Sequence, residues 1–157
     1  MADILDLLSP QTVLPRVRGA SRKAVLSELA DAIAVQAGLD SSLVFDKVME
    51  RERLGSTGVG EGVAIPHAKV RGLSRIYGGF ARLETSVDFE AIDEVPCDLI
   101  FMLVAPETVG NDHLRALARV SRVMRQEVLR KELREAHSVD AILGCFAGPA
   151  KSEDNAA

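Results

Sequence analysis

Residues 99–105 read Leu-Ile-Phe-Met-Leu-Val-Ala, an unbroken apolar run between Asp98 and Pro106. A strand with one face in water alternates polar and apolar residues, so Asp98–Val104 is predicted to be a strand buried on both faces, central in a covered sheet. The run is far short of the roughly 20 residues that span a bilayer. Covers for such a strand are available on either side of it. Ser21 can cap a helix bearing Val25, Leu26, Leu29, Ile33 and Ala34 on one face, stopped by Gly38. Ser41 or Ser42 can cap a second, with Leu43, Phe45, Val48 and Met49, ended by Gly55. Asn111 or Asp112 opens a third, with Leu114, Leu117, Val120, Ser121 and Met124 inward. Further helical stretches run from Glu127 to Ala136 and from Ser138 through Phe146. Ile76–Leu83 is a second predicted strand, and a hairpin-like piece, Val87–Val95, lies between the two. Interleaved strands and helices predict one α/β layered domain over residues 1–147. The small, polar tail 148–157 is expected to be disordered.

Charge and composition narrow the class. A net charge of −4 across 157 residues argues against general nucleic-acid binding, which calls for a basic face. The arginines from Arg115 to Arg134 alternate with Leu, Val and Glu at helical spacing, which reads as solvated helix faces. The opening Met-Ala-Asp-Ile-Leu-Asp has neither a basic region nor an apolar core, so no signal peptide is expected. Cys97 and Cys145 lack CxxC spacing and sit in apolar contexts, as reduced thiols of a cytoplasmic protein do.

The chemistry concentrates in Arg51–Lys69. His67 follows a rigid Ile65-Pro66 step, behind a loop holding Gly55, Gly58, Gly60 and Gly62 with hydroxyls at Ser56 and Thr57. Glycines admit backbone N–H groups close to an anion, hydroxyls add donors, and Arg51 and Arg53 add positive charge. The loop matches neither the P-loop nor the dinucleotide fingerprint. Among such donors a neutral imidazole is suited to carry a phosphoryl group on its unprotonated nitrogen. Val59, Val63 and Ile65, with the helix start at Asp112, are the expected apolar docking face for a protein donor. A metal site of His67, His113 and Asp112 suits these residue types less well than an anion does, given the arginines and glycines around them.

The whole string, Arg51-Glu52, Ser56-Thr57-Gly58, Gly60 and Ala64-Ile65-Pro66-His67, resembles the active-site signature of the IIA proteins of the bacterial phosphotransferase system, fructose/mannitol/nitrogen class. The resemblance covers roughly residues 3–147 and includes Asn111-Asp112-His113-Leu114. Gly55-Ser56-Thr57-Gly58 followed by Ala64-Ile65-Pro66-His67-Ala68-Lys69 is most like the nitrogen-regulatory branch. It implies a mixed sheet of roughly five strands flanked by helices. It also implies that His67 accepts the phosphoryl group through Nε2, with Nδ1–H on a backbone carbonyl. His113 would bond the phosphoryl oxygens without being phosphorylated, and Arg51 would be the phosphate-side arginine. Thr57 and Ser56 become phosphate-loop candidates, while Arg53 stands where the family varies. No metal or cofactor is implied. The expected partners are an HPr-like (NPr-type) phosphocarrier protein and downstream regulatory targets, in a relay that acts in nitrogen or metabolic regulation. One alternative is a sugar-specific IIA unit donating to a IIB cysteine. Another is a non-catalytic interaction module.

Overall fold

The computed structural model describes residues 4–108 and 110–148. The expected disorder of the tail concerns residues that, Gly148 apart, lie outside this range. Six strands, β1 (Val13–Val17), β2 (Gly58–Gly60), β3 (Val63–Ala64), β4 (His67–Val70), β5 (Tyr77–Val87) and β6 (Cys97–Pro106), form one mixed sheet. Its order is β1-β5-β6-β3-β2, with β4 also paired to β6. β3 and β4 are parallel to β6 and lie end to end along it, Val63 opposite Leu99 and His67 opposite Leu103. Pro66, with no N–H to give a ladder, breaks that course in two. Counted as one course, the pair restores the five strands that the resemblance implies.

The apolar run is the centre of the molecule. Leu99, Phe101 and Leu103 face a cluster with α3 (Asp112–Met124), α4 (Glu127–Glu135) and α5 (Val139–Ala147). Ile100, Met102 and Val104 face the opposite cluster with α1 (Arg22–Ala37) and α2 (Ser41–Leu54). No position from Leu99 to Ala105 could be polar without burying a group that needs a partner. Phe80, Phe101 and Phe146 meet edge to face, with ring centroids 5.1–6.2 Å apart.

Local chemistry sets the helix ends. The Ser21 hydroxyl accepts from the Ala24 N–H at 3.0 Å, and Gly38 leaves α1 at a φ of 73°. α2 is capped by Asp40, one residue before the expected serines, its carboxylate accepting from the Ser42 N–H at 3.0 Å. α3 turns Ala116, Val120 and Met124 inward, whereas Leu114, expected inside, is 63% exposed. Residues 88–96 hold no strand of their own and close the antiparallel β5–β6 pair, correcting the hairpin-like piece. β1 is a strand beyond those expected, and its Pro15 is tolerated because β1 is an edge strand. Two arginines also depart from the solvated-face reading. Arg130 is buried and donates to the carbonyls of Met124 and Arg125 at the end of α3. Arg134 grips the Asp98 carboxylate through Nε and Nη2. No helix of the described residues is long and apolar enough to cross a membrane.

Phe101→Ala is expected to cost about 3–5 kcal/mol by emptying the aromatic cluster. Ile92→Ser, at a position 92% exposed, is expected to stay within about 0.5 kcal/mol of wild type. Urea denaturation of both variants checks the pair.

Candidate active site

His67 opens β4 immediately after the Pro66 break. The Ile65 N–H donates to the Thr57 carbonyl at 2.9 Å, and the Leu103 N–H donates to the Pro66 carbonyl at 2.9 Å. The Ile65 carbonyl in turn lies 2.8 Å from His67 Nδ1. A carbonyl only accepts, so Nδ1 carries the proton and Nε2 of the neutral ring is the unprotonated atom. Side-chain alternation along β4 buries Ala68 and Val70 against α1 and α2 and puts His67 and Lys69 on the other face. There the first turn of α3 brings His113, with ring centroids 5.5 Å apart and planes tilted by 50°.

These side chains share a shallow depression of about 350 Å³, walled by Arg51, Leu54, His67, Lys69, Glu107 and His113. Arg51 reaches it from the last turn of α2, where one guanidinium nitrogen also donates to the Gly55 carbonyl at 2.9 Å. Both histidines are held below the ordinary value of 6.5. For His67 burial is the main cause, opposed by the Ile65 hydrogen bond, with Arg51 pushing down and Glu52 up. For His113 burial leads, followed by His67 and Lys69. His113 Nδ1 is buried and has no hydrogen-bond partner among the described residues.

The sequence-predicted residues divide into two groups. His67, His113 and Arg51 come together, while Arg53 is exposed and does not line the depression. Thr57 is buried, its hydroxyl donating to Glu52 Oε1 at 2.7 Å and its N–H reaching Oε2 at 3.2 Å. The Ser56 hydroxyl donates to the Phe89 carbonyl and accepts from the Gly58 N–H. Both hydroxyls thus fasten the loop. The glycines are architectural as well: Gly58–Gly60 form edge strand β2, and Gly62, at a φ of 81°, lies where a Cβ would stand 2.5 Å from Arg134 and 2.9 Å from Asp98. Gly62 is five residues up an extended segment from His67, about 16 Å away. Lys69, on the wall of the depression, and Glu52, behind Thr57 in the hydrogen-bond chain, also belong to the site. The period-2 spacing from His67 marks Lys69, whereas nothing local in the sequence marks Glu52 as buried. Val63 and Ile65, expected on a docking face, are 1% and 3% exposed and belong to the core. The exposed apolar residues by the depression are Leu54 and, beside His113, Leu114. Among the described residues no three His, Cys, Asp or Glu side chains are placed to hold a metal ion.

Residues 6–147 match the family described as "Phosphoenolpyruvate-dependent sugar phosphotransferase system, EIIA 2". The chain belongs to this family. It is thus a phosphoryl-transfer component of that system. The nitrogen regulatory protein of Bradyrhizobium diazoefficiens is 45% identical over 146 residues, 93% of this chain and 95% of that protein. The crystal structure of the nitrogen regulatory protein IIA-Ntr from Neisseria meningitidis superposes with a TM-score of 0.85 at 31% identity, covering 91% of this chain and 98% of that one. The fructose-specific EIIABC component of Bacillus subtilis is 36% identical over 141 residues, 89% of this chain but 22% of that protein.

Because both rings resist protonation when folded, the unfolded chain binds more protons in the window just below pH 6.5. Stability is therefore expected to fall as pH drops through that window, less steeply in His67→Gln. Urea midpoints at about pH 7.5 and about pH 5.5 check it. Thr57→Val, which leaves the Glu52 carboxylate short of a donor, is expected to cost about 1–3 kcal/mol by the same measurement.

Proposed function

We propose that His67 accepts a phosphoryl group on Nε2 from the phosphohistidine of an HPr-like carrier protein. The observation that carries this reading is the 2.8 Å contact between Nδ1 and the Ile65 carbonyl, which leaves Nε2 as the free nucleophile. In the step, a bond forms from Nε2 to phosphorus as the carrier's nitrogen–phosphorus bond breaks, and the proton on Nδ1 stays in place. Little covalent help is needed; in-line positioning and charge compensation supply the rate. Arg51 and Lys69 provide positive charge at the rim. His113, its ring centroid 5.5 Å from that of His67, is close enough to donate a hydrogen bond to the phosphoryl oxygens. Ser56, Thr57 and Arg53 act indirectly in this reading, through the shape of the loop.

The phosphorylation state then acts on downstream regulatory proteins. The similarity to nitrogen regulatory proteins along nearly their whole length supports this role. Two negative charges, about, appear beside Leu54 and Leu114 on phosphorylation, enough to make or break a contact with no change of fold. A sugar-transfer role, with donation to a IIB cysteine, is the second reading, favoured by the similarity to the fructose-specific component.

Incubation with phosphoenolpyruvate, the first enzyme of the system and its carrier is expected to add one acid-labile, base-stable phosphate to wild type and none to His67→Ala. Arg51→Ala and His113→Ala are expected to fold and to transfer about 10- to 1000-fold more slowly. Label retained on His67→Ala would overturn the assignment. Pull-downs with unphosphorylated, phosphorylated and His67→Ala protein separate the two roles. Partner sets that change with phosphorylation support regulation, and identical sets with transfer to a IIB protein support the sugar pathway.

A further inference from the structure

On the other side of His113 lies a larger cleft of about 900 Å³, between the first described turn of the chain, the segment before β5, the end of β6 and one face of α3. Arg115, Arg119 and Arg122 follow one another at i, i+4 and i+7, so they project from one face of α3, and Arg75 comes from the opposite wall. Two of the four have carboxylate partners: Arg115 pairs with Asp112 at 3.6 Å and Arg119 with Asp6 at 3.4 Å. Arg75 and Arg122 have no acidic partner among the described residues. Arg75 is held in place instead, its guanidinium stacked over the Tyr77 ring at 4.1 Å and donating to the Ile76 carbonyl at 3.3 Å. In a chain of net charge −4, positive charge gathered into one concave surface sets up a local field for anions. The walls are not wholly polar: Leu7, Ile76 and Pro106 supply apolar surface between the arginines. Planar guanidinium forks suit phosphate oxygens, and apolar walls suit an organic body.

We propose that this cleft binds a small phosphorylated metabolite carrying more than one negative charge, as a ligand distinct from the protein partners that meet His67. The site goes beyond the phosphocarrier reading, since of its lining residues only His113 enters a step of that reading. The two sites are joined by His113, which lines both the cleft and the depression at His67. Anions on either side of one ring repel each other. A ligand in the cleft and a phosphoryl group on His67 therefore disfavour one another, and by reciprocity each weakens the other equally.

The test is calorimetric titration of the full chain with pyrophosphate and with ADP at about 0.1 M salt. Saturable binding of both is expected, tighter for ADP because its nucleoside meets the apolar walls. Arg122→Ala and Arg75→Ala are expected to weaken it about tenfold each. Arg18→Ala, the same charge change at an exposed position outside the cleft, is expected to leave it unchanged. His67→Ala is expected to bind as wild type does, which keeps this result independent of whether His67 carries phosphate. Protein phosphorylated at His67 is expected to bind several-fold more weakly. Absence of saturation with both probes, or equal losses in Arg122→Ala and Arg18→Ala, would overturn the site. Equal affinity of phosphorylated and unphosphorylated protein would overturn the coupling.

Discussion

The geometry at His67 hangs from one buried carboxylate. Glu52, 5% exposed at the end of α2, accepts from the Thr57 N–H and hydroxyl and from Arg22 of α1 at 3.4 Å. Arg22 also donates to the Phe89 carbonyl, which the Ser56 hydroxyl bonds from its other side. Thr57 continues the chain through its carbonyl to the Ile65 N–H, and the Ile65 carbonyl fixes His67 Nδ1. Two helices, the β5–β6 connection and the active strand are thus linked by hydrogen bonds, most of them with a charged or buried member. Such bonds are stronger inside a protein than in water, and a missing partner is costly because Glu52 has almost no access to solvent. The imidazole is oriented by a scaffold that begins at α1.

In the proposed reaction, the burial that surrounds His67 also suits it to attack. A cationic imidazole cannot attack phosphorus, and desolvation together with the Arg51 charge holds the ring neutral at pH 7. Glu52 pulls the other way. Arg51 satisfies two demands at once. It binds the Gly55 carbonyl that follows α2, a favourable place for a cation at a helix C-terminus, and from there it faces the depression. A lysine at that position would keep the charge but lose the fork that serves both.

The layered fold was legible because its signal is redundant: a strand apolar on both faces needs two covers, and the helical faces that supply them carry their own caps and stops. The family signature carried the pairing of His67 with His113, residues 46 positions apart in the chain. What stayed hidden were roles decided by tertiary neighbours. A loop of glycines and hydroxyls reads as an anion cradle, yet Gly62 is small because the Arg134–Asp98 pair crowds it, and Thr57 is polar because Glu52 needs donors. The short strands β2 and β3 offered too few residues for period-2 alternation to register. Only its apolar side chain argues for Leu114 facing inward, and Ala116 occupies the buried stripe one turn before Val120.

A relay protein has to hold a phosphoryl group without keeping it. Binding the phosphorylated state too tightly would stall the next transfer, since only interactions stronger in the transition state than in either resting state accelerate the step. The composition of the depression meets this condition. Its cations, Lys47, Arg51 and Lys69, share the wall with Glu50 and Glu107, and solvent and salt moderate their charge. The ring closest to His67 is held neutral, so His113 can donate a hydrogen bond without adding a full positive charge. The N-terminus of α3 contributes only the partial charge of its dipole. In the proposed relay, replacing His113 by a permanent cation would strengthen the grip on a resting phosphohistidine as much as on the transition state. A neutral donor beside His67, with cations whose charge carboxylates and solvent moderate, favours passage in both directions.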